Sequence, residues 1–550
     1  MTELTSADRQ LRCAARHMSR RRLLTGAGAT LALTVGTHLP NTAHAVPKLE
    51  DMSANTRAKR IDKDPFRLGV ASGDPLPDSV VLWTRLAPEP HQLDSGMTDD
   101  PVPLTWELAA DEEFAEIVAT GEETADPAFK HSVHVIPEGL TADTVYWYRF
   151  TTGEWTSPVG RTRTAPAADT SPDTLRLALV SCQNYQHGYF TALGHLAREE
   201  DIRAVIHLGD YIYENPVDSA GGDREDPDLD LPAEHDAETE NLEQYRLRYA
   251  LYHSDPDLQA AHAAHPWIAT WDDHEVENNY AAAHSQDNVP EDEFLARRAA
   301  AYRAYYENLP LRPAQQPEEH SLALYRRLRF GTLVQLDVLD GRQYRDDQSN
   351  DDGWKVPSDE TNDPDRTLLG AAQEEWLAEG WQASGAVWNL LPQGVVLSRR
   401  HRATSGPYEV SMDAWDGYPA ARKRLLDAAG AAELTNLVVL TGDVHVHYAF
   451  DIKRDFDDPD SATLGVEFVT TSISSGGDGA EKPDDWDVLM AANPHLSFYD
   501  GRRGYVLLTL DAERVRADYR TVSGVLSPGA PISTAASFVS DSGAPGLRPA

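Results

Sequence analysis

The chain of 550 residues is 41% hydrophobic and 25% charged, which fits folded domains and excludes a disordered or fibrous polymer; at this length two domains are the usual arrangement. Its formal net charge of −40, from 89 Asp and Glu against 49 Lys and Arg, excludes a general nucleic-acid grip, which needs Lys and Arg along a groove, and fits solubility or adaptation to salt. Only two cysteines are present, Cys13 and Cys182, so the chain is not built on a disulfide framework.

Residues 1–45 read as a targeting segment. Arg9, Arg12, Arg16 and Arg20 to Arg22 stand against Glu3 and Asp8 alone, and Ser19-Arg20-Arg21-Arg22-Leu23-Leu24 precedes a weakly apolar run to Leu39 and a small-x-small site at Ala43-His44-Ala45. The run is short and broken by Gly26, Gly28, Gly36 and His38, which argues against a membrane anchor. The segment resembles a twin-arginine signal, which implies export of the folded protein by the Tat machinery to the cell wall or medium. Cys13 would leave with it, and Cys182 would remain as one thiol.

From residue 60 to 165 short alternating strands separated by turns predict an antiparallel β-sandwich: Arg67 to Ala71, Val80 to Arg85, Leu104 to Ala109, Ser132 to Ile136 and Thr144 to Thr151. The Leu140-x-x-x-Thr144-x-Tyr146 spacing is similar to the strand-and-corner motif of fibronectin type III domains, a fibronectin/Ig-like module. Ala165 to Asp173 reads as a linker. A second domain, 174–523, alternates apolar strands with helices at Tyr189 to Glu200, Asn241 to Tyr252, Glu291 to Glu307 and Ala372 to Ser384, an α/β pattern. The acidic stretch from Gly222 to Glu240 reads as a solvated insertion, and 524–550, rich in Gly, Pro, Ser and Ala, as a flexible tail.

Four motifs sit where apolar strands run out: Ser181-Cys182-Gln183-Asn184 after Leu175 to Val180, Gly209-Asp210-Tyr211-Ile212-Tyr213 after Ala204 to Leu208, Asp272-Asp273-His274-Glu275 after Trp267 to Thr270, and Gly442-Asp443-Val444-His445-Val446-His447 after Asn436 to Thr441. Carboxylates, imidazoles, a phenol and a thiol gathered on one sheet edge repel one another and must be desolvated, a cost that a multivalent cation offsets.

The order and spacing of these motifs resemble the calcineurin-like metallophosphoesterases and, more narrowly, the PhoD-type alkaline phosphatases. The likeness also rests on Gly69-Val70-Ala71-Ser72-Gly73-Asp74-Pro75, the run Trp271 to Asn279, and Gly341-Arg342-Gln343-Tyr344-Arg345-Asp346-Asp347-Gln348. The resemblance implies a four-layer αββα sandwich after the N-terminal module, and a metal centre. Within that frame Cys182 takes the first ligand position, Asp210 bridges two metals, and Tyr213 matches the iron-binding tyrosine of purple acid phosphatases. Asp273 stands where the wider family has Asn, Asp443 where it has the first His of Gly-His-x-His, and His445 matches the second. A soft thiolate favours Fe(III) at one site, and the two substituted aspartates favour Ca2+ at the other. His274 matches the family's catalytic histidine, with Asn184 and Arg342 as phosphate contacts.

The reading is an exported, metal-dependent phosphoesterase acting on a small-molecule, lipid or polymer phosphate ester. The alternatives are a calcium-activated phospholipase D of the same family and a non-catalytic binding protein on a degenerate phosphatase scaffold. His447, two residues beyond His445, is left open as ligand or neighbour.

Overall fold

The computed structural model describes residues 61–550 except 218–221, 225–228, 403–406, 459 and 485. The targeting segment lies outside the described residues. Among them, no helix is long and apolar enough to cross a membrane.

Two large sheets carry the fold. In the first, of ten strands, Leu175–Val180, Ile202–Leu208 and Pro266–Thr270 run parallel. In the second, of seven, Val334–Val338, Trp388–Gln393, Leu437–Thr441 and Thr463–Val469 run parallel. Their Val, Ile and Leu content suits strands covered on both faces, as parallel strands are. Leu177, Leu179 and Ile206 of the first sheet share one apolar core with Leu336, Val438 and Phe468 of the second, so the sheets pack face to face. The first sheet buries its other face under helices that include Leu242–His253 and Glu291–Asn308, and the second under Ala371–Gln382 and Pro419–Ala431.

Helix ends follow local chemistry. Asn241 caps Leu242–His253 through a capping box with Gln244, and Asp255 accepts from the backbone N–H groups of Asp257 and Leu258 ahead of Pro256–Ala264. Glu291, Asp292 and Glu293 open the next helix, where carboxylates favour the positive end of its dipole.

The N-terminal strands depart from a self-contained sandwich. Val70–Leu76, Ser79–Arg85 and Ser132–Val135 extend the ten-stranded sheet, because Val70–Leu76 pairs parallel with Pro266–Thr270 at Ser72 and Gly73. Those three strands and a separate five-stranded sheet, which includes Val102–Ala109 and Val145–Thr152, enclose a core of Val80, Leu82, Leu104, Tyr148 and Phe150. Sharing the sheet closes an edge that would otherwise expose unpaired backbone groups. The Tyr146 hydroxyl accepts from Thr141 N at 3.0 Å, the corner contact that the Leu140–Tyr146 spacing foreshadows.

The segment read as a flexible tail is instead structured. Ile532–Asp541 pairs antiparallel with Arg514–Val522, and Ala544–Pro549 adds the sheet's last strand. Composition misleads here because the small residues lie on a strand whose Phe538 enters the inter-sheet core beside Phe498 and Tyr519. We predict that Phe538→Ala costs about 3 kcal/mol in urea unfolding, the loss expected for a buried phenyl ring; a cost below about 1 kcal/mol would return the segment to a loose edge.

Candidate metal centre

All four motifs follow strands that end on one side of the two sheets. The turns after the first, second and fourth of these strands are forced. Cys182, Asp210, Asp443 and His445 all adopt left-handed backbone conformations, with φ of 59°, 57°, 65° and 56°. Non-glycine residues rarely adopt this region, and such strain clusters at functional sites. The glycine before Asp210 is demanded twice: Gly209 has φ of 107°, and a Cβ there would meet Asp272 N at 2.4 Å. At Gly442 a Cβ would meet Ser181 Oγ at 2.4 Å, so the fourth motif closes directly onto the first.

Ligand-type atoms of Cys182, Asp210 and His445 lie within 4.8 Å of one another, and those of Asp210, Asp273 and His274 do the same. Asp210 belongs to both groups, as a bridging carboxylate would. Tyr213 completes the first group: its hydroxyl lies 2.8 Å from Asp210 Oδ2 and 3.1 Å from His445 Nε2. The sulfur of Cys182 is 2.6 Å from Ser181 Oγ.

The donor set fits metal ions. Buried carboxylate oxygens Asp210 Oδ1, Asp272 Oδ2 and Asp273 Oδ1 have no hydrogen-bond partner. Burial, reinforced by Asp273, Asp272 and Glu275 against the opposing pull of His274, pushes Asp210 well above the carboxylate range. Burial and the Asp210 charge likewise push the Cys182 thiol and the Tyr213 phenol far up. His445 is pulled down to about 3 by burial and the nearby Arg503, which leaves a neutral imidazole with a lone pair for coordination. Burial thus disfavours the anionic forms of these groups, and a bound cation would reverse that by favouring the deprotonated ligands.

Asp443 joins neither group of ligand atoms. Burial and the neighbouring carboxylates of Asp272, Asp413 and Asp273 push it well above its ordinary value, so it faces the same acidic cluster from the side. Burial opposes ionisation of Asp273 too, but Arg342 and His274 outweigh it and hold this carboxyl below its usual range. Asn279 N adds a hydrogen bond to Asp273 Oδ2 at 2.7 Å.

The phosphate-contact role expected of Arg342 is corrected. Its side chain is fully buried, Nε donates to Asp272 Oδ1 at 2.6 Å, and Nη1 and Nη2 form a bidentate pair with Asp413 at 2.7 and 2.8 Å. All of its edges are committed to carboxylates, so it supports the third motif instead of meeting substrate. Asn184 accepts from Gln186 N at 3.0 Å, while its amide NH2 has no partner among the described residues. His447 is a buried core residue: its Nδ1 accepts from Thr471 N at 3.1 Å, and its ring meets Tyr519 edge-on.

Three participants escaped the sequence reading. Glu214 Oε2 accepts from His274 Nδ1 at 2.6 Å, and the His274 ring lies 4.1 Å from that of Tyr213. Burial lowers the affinity of His274 for its proton, but Asp273, Glu214 and Asp210 more than reverse that, so the imidazole is protonated well above its ordinary range. Glu275 ties two motifs together by accepting from Tyr211 N at 2.7 Å and Asp272 N at 2.9 Å. Ser475, from the glycine-rich stretch after Thr463–Val469, has its hydroxyl 2.7 Å from that of Tyr213 and 2.8 Å from Cys182 O. Glu214 directly follows Asp-x-x-Tyr and Glu275 directly follows His274, which is the available signal; nothing local marks Ser475.

The comparisons with known proteins agree with this geometry. The sequence pattern described as PhoD-like phosphatase matches residues 177–519, and that of the PhoD-like phosphatase N-terminal domain matches residues 52–166. The chain is 47% identical over 532 residues to alkaline phosphatase D of Bacillus subtilis (strain 168), covering 96% of this chain and 88% of that protein. A solved structure described as the structure of PhoD superposes with a TM-score of 0.86 at 48% identity, covering 90% of this chain and 93% of the other.

We predict that Arg342→Leu destabilises the metal-saturated protein by about 3–5 kcal/mol in urea unfolding, because Asp272 and Asp413 lose their buried partner. A change under about 1 kcal/mol, with activity lost, would restore Arg342 to substrate contact.

Proposed function

The chain belongs to the PhoD-like phosphatase family, and on that footing we propose that this phosphoesterase of the alkaline phosphatase D type is exported and works through a mixed iron and calcium centre. The observation that carries the reading is the pair of ligand groups sharing Asp210, with buried carboxylate oxygens left without protein donors. Two face-to-face sheets flanked by helices support the four-layer arrangement of the family. Export by the twin-arginine route rests on the Arg20-Arg21 pair ahead of its weak apolar run.

Cys182, Asp210, Tyr213 and His445 would hold Fe(III), since thiolate and phenolate both donate strongly to a ferric ion. Asp210, Asp273 and the adjacent Asp443 would hold Ca2+, a cation that takes oxygen ligands. When bound, such ions supply neutralisation of a phosphate ester and acidification of a water near neutral pH.

The protein's own groups do the remainder. His274 is oriented by Glu214, which accepts a hydrogen bond from Nδ1–H and leaves Nε2–H to protonate the departing alkoxide. General acid catalysis of this kind contributes roughly 10² to 10⁴ in rate. Asn184 presents its uncommitted amide to a phosphate oxygen.

The protein purified with iron should be coloured, Cys182→Ser should lose both the colour and most activity, and a calcium chelator should stop turnover until calcium is restored. Colourless, iron-free protein at full activity, or full recovery with zinc alone, would overturn the metal assignment. For His274, the prediction is a substrate-dependent loss. His274→Ala should cost far more with an alkyl phosphate, whose alkoxide is basic, than with a nitrophenyl phosphate, at unchanged metal content. Equal losses on both substrates, or loss of calcium, would make His274 a structural residue or a ligand.

A further inference from the structure

One cavity of about 430 Å3 opens beside the metal centre and is bordered by Asp443 and Asn279, the latter bound to Asp273. The same cavity is bordered by Arg400, Arg402, Trp354 and Tyr448. Arg400 is unusual for the molecule. In a chain of net charge −40, neighbouring arginines are matched to carboxylates: Arg399 pairs with Asp457, Arg422 with Asp416 and Arg424 with Glu374. Arg400 has no ion-pair partner among the described residues. Its guanidinium lies 4.9 Å from the centre of the Trp354 ring and 5.8 Å from that of Tyr448, while Arg402 covers Trp354 at 3.7 Å.

The placement of Arg400 is built rather than incidental. Its backbone N–H donates to Asp416 Oδ2 at 2.9 Å, the Arg399 side chain is tied to Asp457 at 2.5 Å, and His401 exchanges two hydrogen bonds with Asn493, at 2.8 and 2.9 Å. Trp354 is in turn fixed by pairing of Trp354–Lys355 with Val410–Ser411. A guanidinium stacked on an aromatic face keeps its N–H edge free for an anion and loses little freedom when it binds one.

We propose that Arg400 on its Trp354 and Tyr448 platform is a recognition site for a second anionic group, so that the enzyme prefers phosphate esters whose alcohol carries a further phosphate. This rests on the phosphoesterase reading: one phosphate occupies the metal centre, and the cavity directs the rest of the ester towards Arg400. On an acidic protein, Arg400 also counters the repulsion that a dianionic leaving group would meet.

The test is kcat/KM of the metal-loaded full chain on straight alkanediol bisphosphates of two to six carbons and on the matching monophosphates. Wild type should prefer at least one bisphosphate by about tenfold or more, beyond the twofold expected from two equivalent ends, since a hydrogen bond to a charged group carries that much discrimination. In Arg400→Gln the ratio of bisphosphate to monophosphate should fall to about two, and Arg400→Lys should keep part of the preference. Monophosphate hydrolysis with no such preference in wild type, or a preference that survives in Arg400→Gln, overturns the subsite alone. Failure to hydrolyse any ester overturns the phosphoesterase reading and the subsite with it.

Discussion

The centre depends on one electrostatic imbalance. Asp210, Asp272, Asp273, Asp413 and Asp443 are brought together with Cys182 and Tyr213, and the protein supplies Arg342, Arg345, His274 and, beside Cys182 and Tyr213, Arg503 as its cations there. Isolated buried charges are costly enough that groups protonate instead of ionising. Burial pushes Asp210, Cys182 and Tyr213 in that direction, well above their ordinary ranges, whereas Arg342 overcomes burial at Asp273 and Asp413 and holds both below the usual carboxylate range. The site is therefore divided into a half neutralised by Arg342 and Arg345 and a half around Asp210, Cys182 and Tyr213, where a metal cation would favour the anionic forms.

That division explains why Arg342 is an arginine. A planar guanidinium meets Asp413 through two parallel hydrogen bonds and still reaches Asp272 through Nε, which a lysine ammonium could not do in the same geometry. Asp272, pushed up to about 6 by burial despite Arg342, lies two residues beyond the strand Pro266–Thr270 and directly before the proposed ligand Asp273. The charge pair thus sets the position of the proposed ligand Asp273 through its chain neighbour. Glu275 works similarly from the other side, holding the Asp210 and Asp272 turns to one another through backbone N–H groups.

Much of this was legible in the sequence because strand and ligand are adjacent in the chain. The strand Leu175–Val180 is found where its apolar run predicts, and the helices Leu242–His253 and Glu291–Asn308 lie within a residue or so of their expected limits. Cys182, Asp210, Tyr213, Asp273 and His445 converge because each directly follows such a strand or its turn. What stayed hidden depends on partners distant in sequence. Whether Arg342 meets phosphate or Asp413 is decided by a residue 71 positions away, and whether the last 27 residues are loose or paired is decided by the free edge of Arg514–Val522. The N-terminal strands misled for the same reason: alternation marks a strand but not which sheet it joins.

The left-handed turns connect these levels. Each of Cys182, Asp210, Asp443 and His445 holds a conformation that costs a non-glycine residue roughly 1–3 kcal/mol. A strand that simply ended would relax, so something must over-determine these turns. Ser475 accepts from Asn184 N at 3.0 Å and lies against Cys182 O, while Arg503 donates to His445 O at 2.5 Å and to Gly477 O at 2.5 Å. The glycine-rich stretch, which carries no ligand of its own, is thereby tied to the first and fourth motifs at once. With the backbone held from outside the centre, the proposed ligands are already gathered, and binding of an ion there would not consume energy in ordering them. The strain resides in the peptide, and a bound metal would neutralise the carboxylates that Arg342 and Arg345 do not reach.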